Sequence, residues 1–211
     1  MAAEAEAEAG TEDPAEDYIP PGWVEAFLPR RDRRYLAVTG AVAAISALTL
    51  GTLAPDARLI PAMVGLSVLG TLIGAGDAVT RHIPNKANAV ALASCLPLLG
   101  LARLSGDGSL RGAALGAVAA FLAYFALWLV APASMGLGDV KLSPYLGAYL
   151  GYFGLTCWTR GLVAGFLAQG LVVGIGLAAR RLTARSHVAH GPAMCVGTAA
   201  AVLWTIVSVG R

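Results

Sequence analysis

Seven long stretches of this sequence contain no charged side chain: residues 35–55, 59–76, 87–102, 112–138, 142–159, 161–179 and 186–210. A hydrocarbon layer about 30 Å thick is crossed by about 20 helical residues, within a range of roughly 17–25. Most of the runs meet that length, and 87–102 reaches the interface if Arg103 snorkels outward. The runs are continuously apolar and lack the period-two alternation of membrane barrel strands. Charged residues make up only 13% of the chain against about 25% in soluble domains, and mean hydropathy is +0.68. So little polar surface cannot cover a water-soluble globule. The expectation is an all-α, polytopic transmembrane helix bundle of about seven spans, in which the 26 glycines permit close helix packing.

The first residues have a different character. Residues 1–29 carry eight acidic side chains and no basic one, with prolines at 14, 20, 21 and 29. There is no basic start followed by an apolar core, so this is not a secretory signal. We read 1–34 as an acidic, disordered cytoplasmic arm with a basic juxtamembrane end, and 35–211 as the transmembrane domain. Tyr18, Trp23 and Phe27 are the arm's candidates for lying on the membrane surface. Lys and Arg set the orientation. With the N-terminus inside, ten of them fall in cytoplasmic segments, and Arg58, Arg103, Arg111, Arg160 and Arg211 fall outside, so the expected topology is N-in, C-out.

Only four carboxylates follow Arg33: Asp56, Asp77, Asp107 and Asp139. Asp56 in APDAR and Asp107 in SGDGS read as solvated turn residues on the outer side. Asp77 and Asp139 are 62 residues apart but fall at the cytoplasmic ends of spans two and four, or just beyond, at similar depth. Ionisable groups at membrane depth are costly and mark function by default. A matched pair suits a cation site, a proton relay, or an acid/base couple sharing one proton, in which one member activates water and the other protonates a carbonyl oxygen. Two interfacial aspartates at loop edges would be the bland alternative.

The neighbouring residues sharpen the choice. Asp139 stands in GLGDVK at 136–141, where Gly136 and Gly138 permit tight turns and close approach of another segment. Asp77 is followed by Pro84 and Asn85 in IPN, and Pro84 forces Ile83 towards an extended conformation, taking the chain out of the membrane just after the acid. These motifs, in this order, resemble the type IV prepilin peptidase family of GxGD membrane aspartyl proteases, related to preflagellin peptidases. The segment HGPAMCVG at 190–197 is similar to the Gly-Pro segment opening that family's last helix, and the resemblance covers roughly 70–210.

The resemblance implies that Asp77 and Asp139 are the catalytic pair, with Gly136, Gly138, Lys141, Pro84 and Asn85 in support. It also implies the substrate class: the basic leader of a type IV pilin-like precursor, cut at the cytoplasmic face of the cell membrane just before its hydrophobic helix. The charge-derived topology places both acids on that side. Longer bacterial members carry a cytosolic region, often with paired cysteines, associated with methylating the new N-terminus. Here only a short loop near 55–58 joins spans one and two, so the chain looks like the short, peptidase-only form.

Other readings are weaker. Cys95, Cys157 and Cys195 each stand alone in apolar sequence and read as packing thiols, and no metal-binding spacing occurs. No cofactor, metal or nucleic-acid partner is expected; lipid is. Presenilin-like GxGD enzymes carry a Tyr-Asp signature, whereas Gly76 precedes Asp77. A proton- or cation-coupled transporter should show repeats with broken helices, and a non-catalytic membrane assembly factor would assign the two acids no role. His82, His187 and His190 read as solvated or loop-bonded, Lys141 as a partner for Asp139 or for lipid phosphate, and Tyr145, Tyr149 and Tyr152 as packing or anchoring residues on one helix face.

Overall fold

A computed structural model of the chain describes residues 22–30, 32–106, 108–132, 135–183, 186 and 188–209. Asp107, His187 and the arm up to residue 21, including Tyr18, lie outside these. The described residues form eight α-helices and no strand: α1 Trp23–Phe27, α2 Arg33–Thr52, α3 Ile60–Thr80, α4 Asn85–Ala102, α5 Leu110–Val130, α6 Leu137–Tyr152, α7 Leu155–Ala178 and α8 Gly191–Val209. Short 3-10 turns lead into α3 and follow α4. Among the described residues, six helical segments are long and apolar enough to cross a membrane: Arg33–Thr52, Ala57–Thr80, Asn85–Ser105, Leu110–Val130, Leu155–Ala178 and Gly191–Ser208. The chain is a multi-pass membrane helix bundle.

The seventh long helix, α6, is the centre of the bundle. Its 16 residues span about 24 Å at 1.5 Å each. From Asp139 to Tyr152 only Lys141 and Pro144 escape burial. It packs against α4, α5, α7 and α8. Tyr145, Tyr149 and Tyr152 are almost wholly buried in this core, and the Tyr145 hydroxyl donates to the Gly65 carbonyl at 3.2 Å. The tyrosine stripe is therefore a packing stripe.

Lipid tails give apolar helices no reason to prefer one another, so association rests on close van der Waals contact, which small residues permit. The tightest pairing, α5 on α6, shows this directly. Gly112 and Gly116 of α5 face Gly147 and Gly151 of α6, and a Cβ added at any of the four would run into the opposite helix. The Trp158 indole N–H of α7 donates to the Gly116 carbonyl at 3.0 Å, tying a third helix to the seam. On α7 and α8, Gly161, Gly165 and Gly197 make a similar close approach.

Several boundaries differ from those set by charge alone. The run 112–138 holds a helix only to Val130, and Asp139 and Lys141 lie inside α6. Gly154, at φ +101°, separates α6 from α7, and Arg160 lies within α7, its guanidinium 6.0 Å from the Trp204 ring centroid. Charges sit at the interface, where long side chains can reach water, and the helices extend past them. Asp56 is the turn residue expected, its carboxylate accepting the Arg58 N–H at 2.7 Å. All three cysteines are free thiols, with Cys95 and Cys157 buried and Cys195 half-buried. Ahead of α2, the short α1 packs against α3 and α4, burying Ala26 and half-burying Phe27.

Candidate active site

Asp77 lies in the last turn of α3. The helix stops at Thr80 because Arg81 adopts a left-handed conformation, φ 54°, with its N–H donating to the Asp77 carbonyl at 2.7 Å. The Thr80 hydroxyl donates to the Gly76 carbonyl at 2.9 Å. Pro84 follows at φ −62° and ψ 140° and caps α4, whose first residue is Asn85. Proline suits a helix start because its missing N–H is one that no helical carbonyl would have accepted. The segment 81–84 therefore turns the chain sharply beside the acid.

Asp139 enters from the opposite direction, in the first turn of α6. Gly136 caps that helix, and its N–H donates to the Asp139 Oδ2 at 3.3 Å. The position places a carboxylate at the positive end of a helix dipole. Gly138 lets this helix start press against the segment after Asp77: a Cβ there would stand 3.1 Å from the Ile83 Cβ. The Asn88 side chain reaches the Gly138 carbonyl at 3.5 Å, a further link between the two walls.

A third wall comes from the start of α8. The Gly191 N–H donates to the Asp77 Oδ2 at 3.0 Å, and a Cβ on residue 191 would lie 2.7 Å from that oxygen. Only glycine leaves both the amide and the carboxylate in place. Pro192 then continues α8. This is the Gly-Pro segment noted in the sequence, and its place against Asp77 gives that spelling a physical reason.

The two carboxylates share one cavity of about 700 Å³. Asp77 is 5% exposed and Asp139 7% exposed. Gly136, Gly138, Asn85 and Lys141 line the same cavity, whereas Pro84 sits behind it at the α4 cap. Lys141 is exposed and donates to the Asn85 Oδ1 at 2.9 Å, which joins α6 to α4 across the mouth. Arg81 and His82 are also exposed at the mouth.

One lining residue, read from sequence as solvated or loop-bonded, takes the second form. His190 is buried, not solvated; its Nε2 lies 3.4 Å from the Tyr124 hydroxyl, and its ring packs on Tyr124 and Phe166 at 5.8 and 5.3 Å. Burial pushes its imidazole down to about 4, so the ring is neutral near pH 7. The pairing anchors the loop that presents Gly191 to Asp77. The resemblance at 190–197 was a signal for Gly191; Tyr124, one aromatic among several in α5, carried none.

The arrangement is a polar chamber with two buried carboxylates, room for water and a backbone segment, and cationic groups at its mouth. It suits proton transfer to and from a bound amide. A family model described as the type IV leader peptidase family matches residues 64–208, which include every residue named in the cavity. No individual curated protein and no solved structure gives a match.

Proposed function

Because the chain belongs to the type IV leader peptidase family, we propose that it is an aspartyl endopeptidase that removes the basic leader of type IV pilin-like precursors. Its catalytic pair is Asp77 and Asp139, acting at the cytoplasmic face of the cell membrane. The single observation that carries this reading is the burial of two carboxylates, from helices α3 and α6, in one cavity at one end of the bundle.

The chemistry follows from the pair. One carboxylate is ionised and accepts a proton from a water molecule as its oxygen attacks the scissile carbonyl carbon. The other is protonated and donates to the carbonyl oxygen, giving a neutral tetrahedral gem-diol without a covalent enzyme intermediate. Return of a proton to the amide nitrogen breaks the C–N bond, leaving a carboxyl on the leader and a free amine on the mature protein. The Gly191 and Gly136 amides hold one oxygen of each acid, so the remaining oxygens are the ones available for exchange. Gly138 and Pro84 fix the approach of the two walls, and Lys141 with Asn85 bridges the mouth.

The membrane face is supported by charge. Helix ends at the carboxylate end of the bundle carry Arg33, Arg34, Arg81, Lys86, Lys141, Arg180 and Arg181, while Arg58, Arg103, Arg111 and Arg160 lie towards the other. An excess of Lys and Arg marks the cytoplasmic side. The deciding experiment is cleavage of a pilin-like precursor in membranes by the wild type and by Asp77→Asn and Asp139→Asn. The reading requires leader removal by the first and none by the others; persistent cleavage by either well-inserted variant ends it.

A further inference from the structure

Beside the carboxylate chamber runs a second cavity, of about 290 Å³, lined by α2, α3 and α8. Its floor is α3 and its two banks are α2 and α8, with Val38 and Val42 exposed on one bank and Val196 on the other. Apart from Leu66, the floor residues are small: Ser67, Gly70, Thr71, Gly74, Ala75 and Ala78. Two features separate it from an ordinary crease between helices. Ser67 is only 4% exposed, yet its hydroxyl has no hydrogen-bond partner. A buried hydroxyl without a hydrogen-bond partner is costly, so something that bonds it is expected in the working state. In addition, Ser67, Gly70, Gly74 and Asp77 follow one another at spacings of three, four and three along α3. The groove floor therefore runs along one helix face directly into the candidate active site, and Pro192, on the α8 bank, is the neighbour of the Gly191 that holds Asp77.

We infer that this groove seats the apolar helix of the precursor, with that helix's N-terminal end at the Ala78–Pro192 end of the groove and its cut site in the chamber. The inference rests on the peptidase reading above. Gly70 and Gly74 already take the close approach of α8 at Cys195 and Pro192, while Thr71, Ala75 and Ala78 beside them are small and less buried and let another helix backbone come close, the arrangement by which membrane helices associate. A helix also offers what an acyl chain does not, a carbonyl or hydroxyl to accept the Ser67 O–H. The direction is consistent: in a precursor cut just before its hydrophobic helix, the first turn of that helix must lie within a residue or two of the carboxylates, as the Ala78 end of the groove does.

The test uses the full chain in membranes and a synthetic probe made of a Lys/Arg-rich leader joined to an apolar helix of about 20 residues. A photoreactive benzoylphenylalanine at Val42, an exposed position on the α2 bank, is introduced alone and with Asp139→Asn to stop turnover. The expected result is a crosslink to the helical part of the probe. Ala75→Phe, which fills the groove, should raise KM for the probe about tenfold or more with kcat little changed, the pattern of lost binding common to ground and transition states. Leu171→Phe, on the lipid side of α7, is the size-matched control. A Val42 crosslink only to lipid, or only to a second copy of the chain, overturns the inference, and so does an unchanged KM in a folded Ala75→Phe protein. In both cases cleavage of the probe by wild type leaves the peptidase reading standing; if wild type cleaves nothing, both fall. Should Ala75→Phe not insert, the Val42 crosslink decides alone.

Discussion

The Gly191 amide and the Asp77 carboxylate meet at 3.0 Å although 114 residues separate them in the chain. A hydrogen bond from a backbone N–H to a carboxylate is charge-assisted and fixes that oxygen in place. The start of α8 thereby becomes part of the chamber, and the residue there has to be glycine. Gly191→Ala places a methyl group 2.7 Å from the Asp77 Oδ2, well inside contact distance. We expect it to insert normally but to lose at least about tenfold in kcat/KM, corresponding to about 1.4 kcal/mol at the transition state. Leader cleavage measured against protein level in membranes checks this; wild-type activity would show that the amide does not position the acid.

The carboxylates themselves should behave as a unit. In the proposed mechanism Asp77→Asn and Asp139→Asn each remove an acid/base partner, so the double substitution should be no worse than either single one. Asp56→Asn, on a turn at the opposite end of the bundle, should keep activity. Additive losses in the double variant would mean that the two acids do separate jobs.

How much of this was legible beforehand differs from one feature to the next. Charge-free runs found the bundle because a buried charge at membrane depth is costly, so charges are pushed towards the ends of spans. The same rule misplaced the edges of α5, α6 and α7. Lys141 and Arg160 can reach outward from inside a helix, whereas the true break between α6 and α7 is the backbone conformation of Gly154. Asp77, Asp139 and the Gly-Pro segment stood out because few residues of their kind occur at such places. The Tyr124–His190 contact did not, since it pairs residues 66 apart on elements whose packing no local pattern encodes.

That contact makes a stability prediction. The His190 imidazole sits at about 4 in the folded chain against an ordinary value of 6.5. Between those values the unfolded chain binds the proton and the folded one does not, so stability rises with pH through this window and is lost as pH falls. The full effect is on the order of 3 kcal/mol at one ring. Thermal unfolding in detergent from pH 7 to pH 4 should show the wild-type midpoint falling relative to that of His190→Asn. Equal slopes would remove His190 as the titrating group.

The last prediction concerns the seam beneath the chamber. Two to three turns along α6 from Asp139, that helix lies against α5 with Gly112 and Gly116 facing Gly147 and Gly151, and this seam is expected to set where Asp139 stands. Such contact needs hydrogen at the Cα on both sides; a side chain at either position must part the helices. Gly116→Val should separate them and also strain the Trp158 N–H bond to the Gly116 carbonyl, now 3.0 Å. Overpacking of this kind costs typically about 1–3 kcal/mol. Because α6 carries Asp139 at its first turn, activity should fall along with stability. Gly40→Val gives the comparison, since nothing lies within 4 Å of a Cβ there. Gly40→Val should match the wild type in both midpoint and cleavage, while Gly116→Val should lower both. A Gly116→Val protein as stable and active as wild type would show that the α5–α6 seam does not set the position of Asp139.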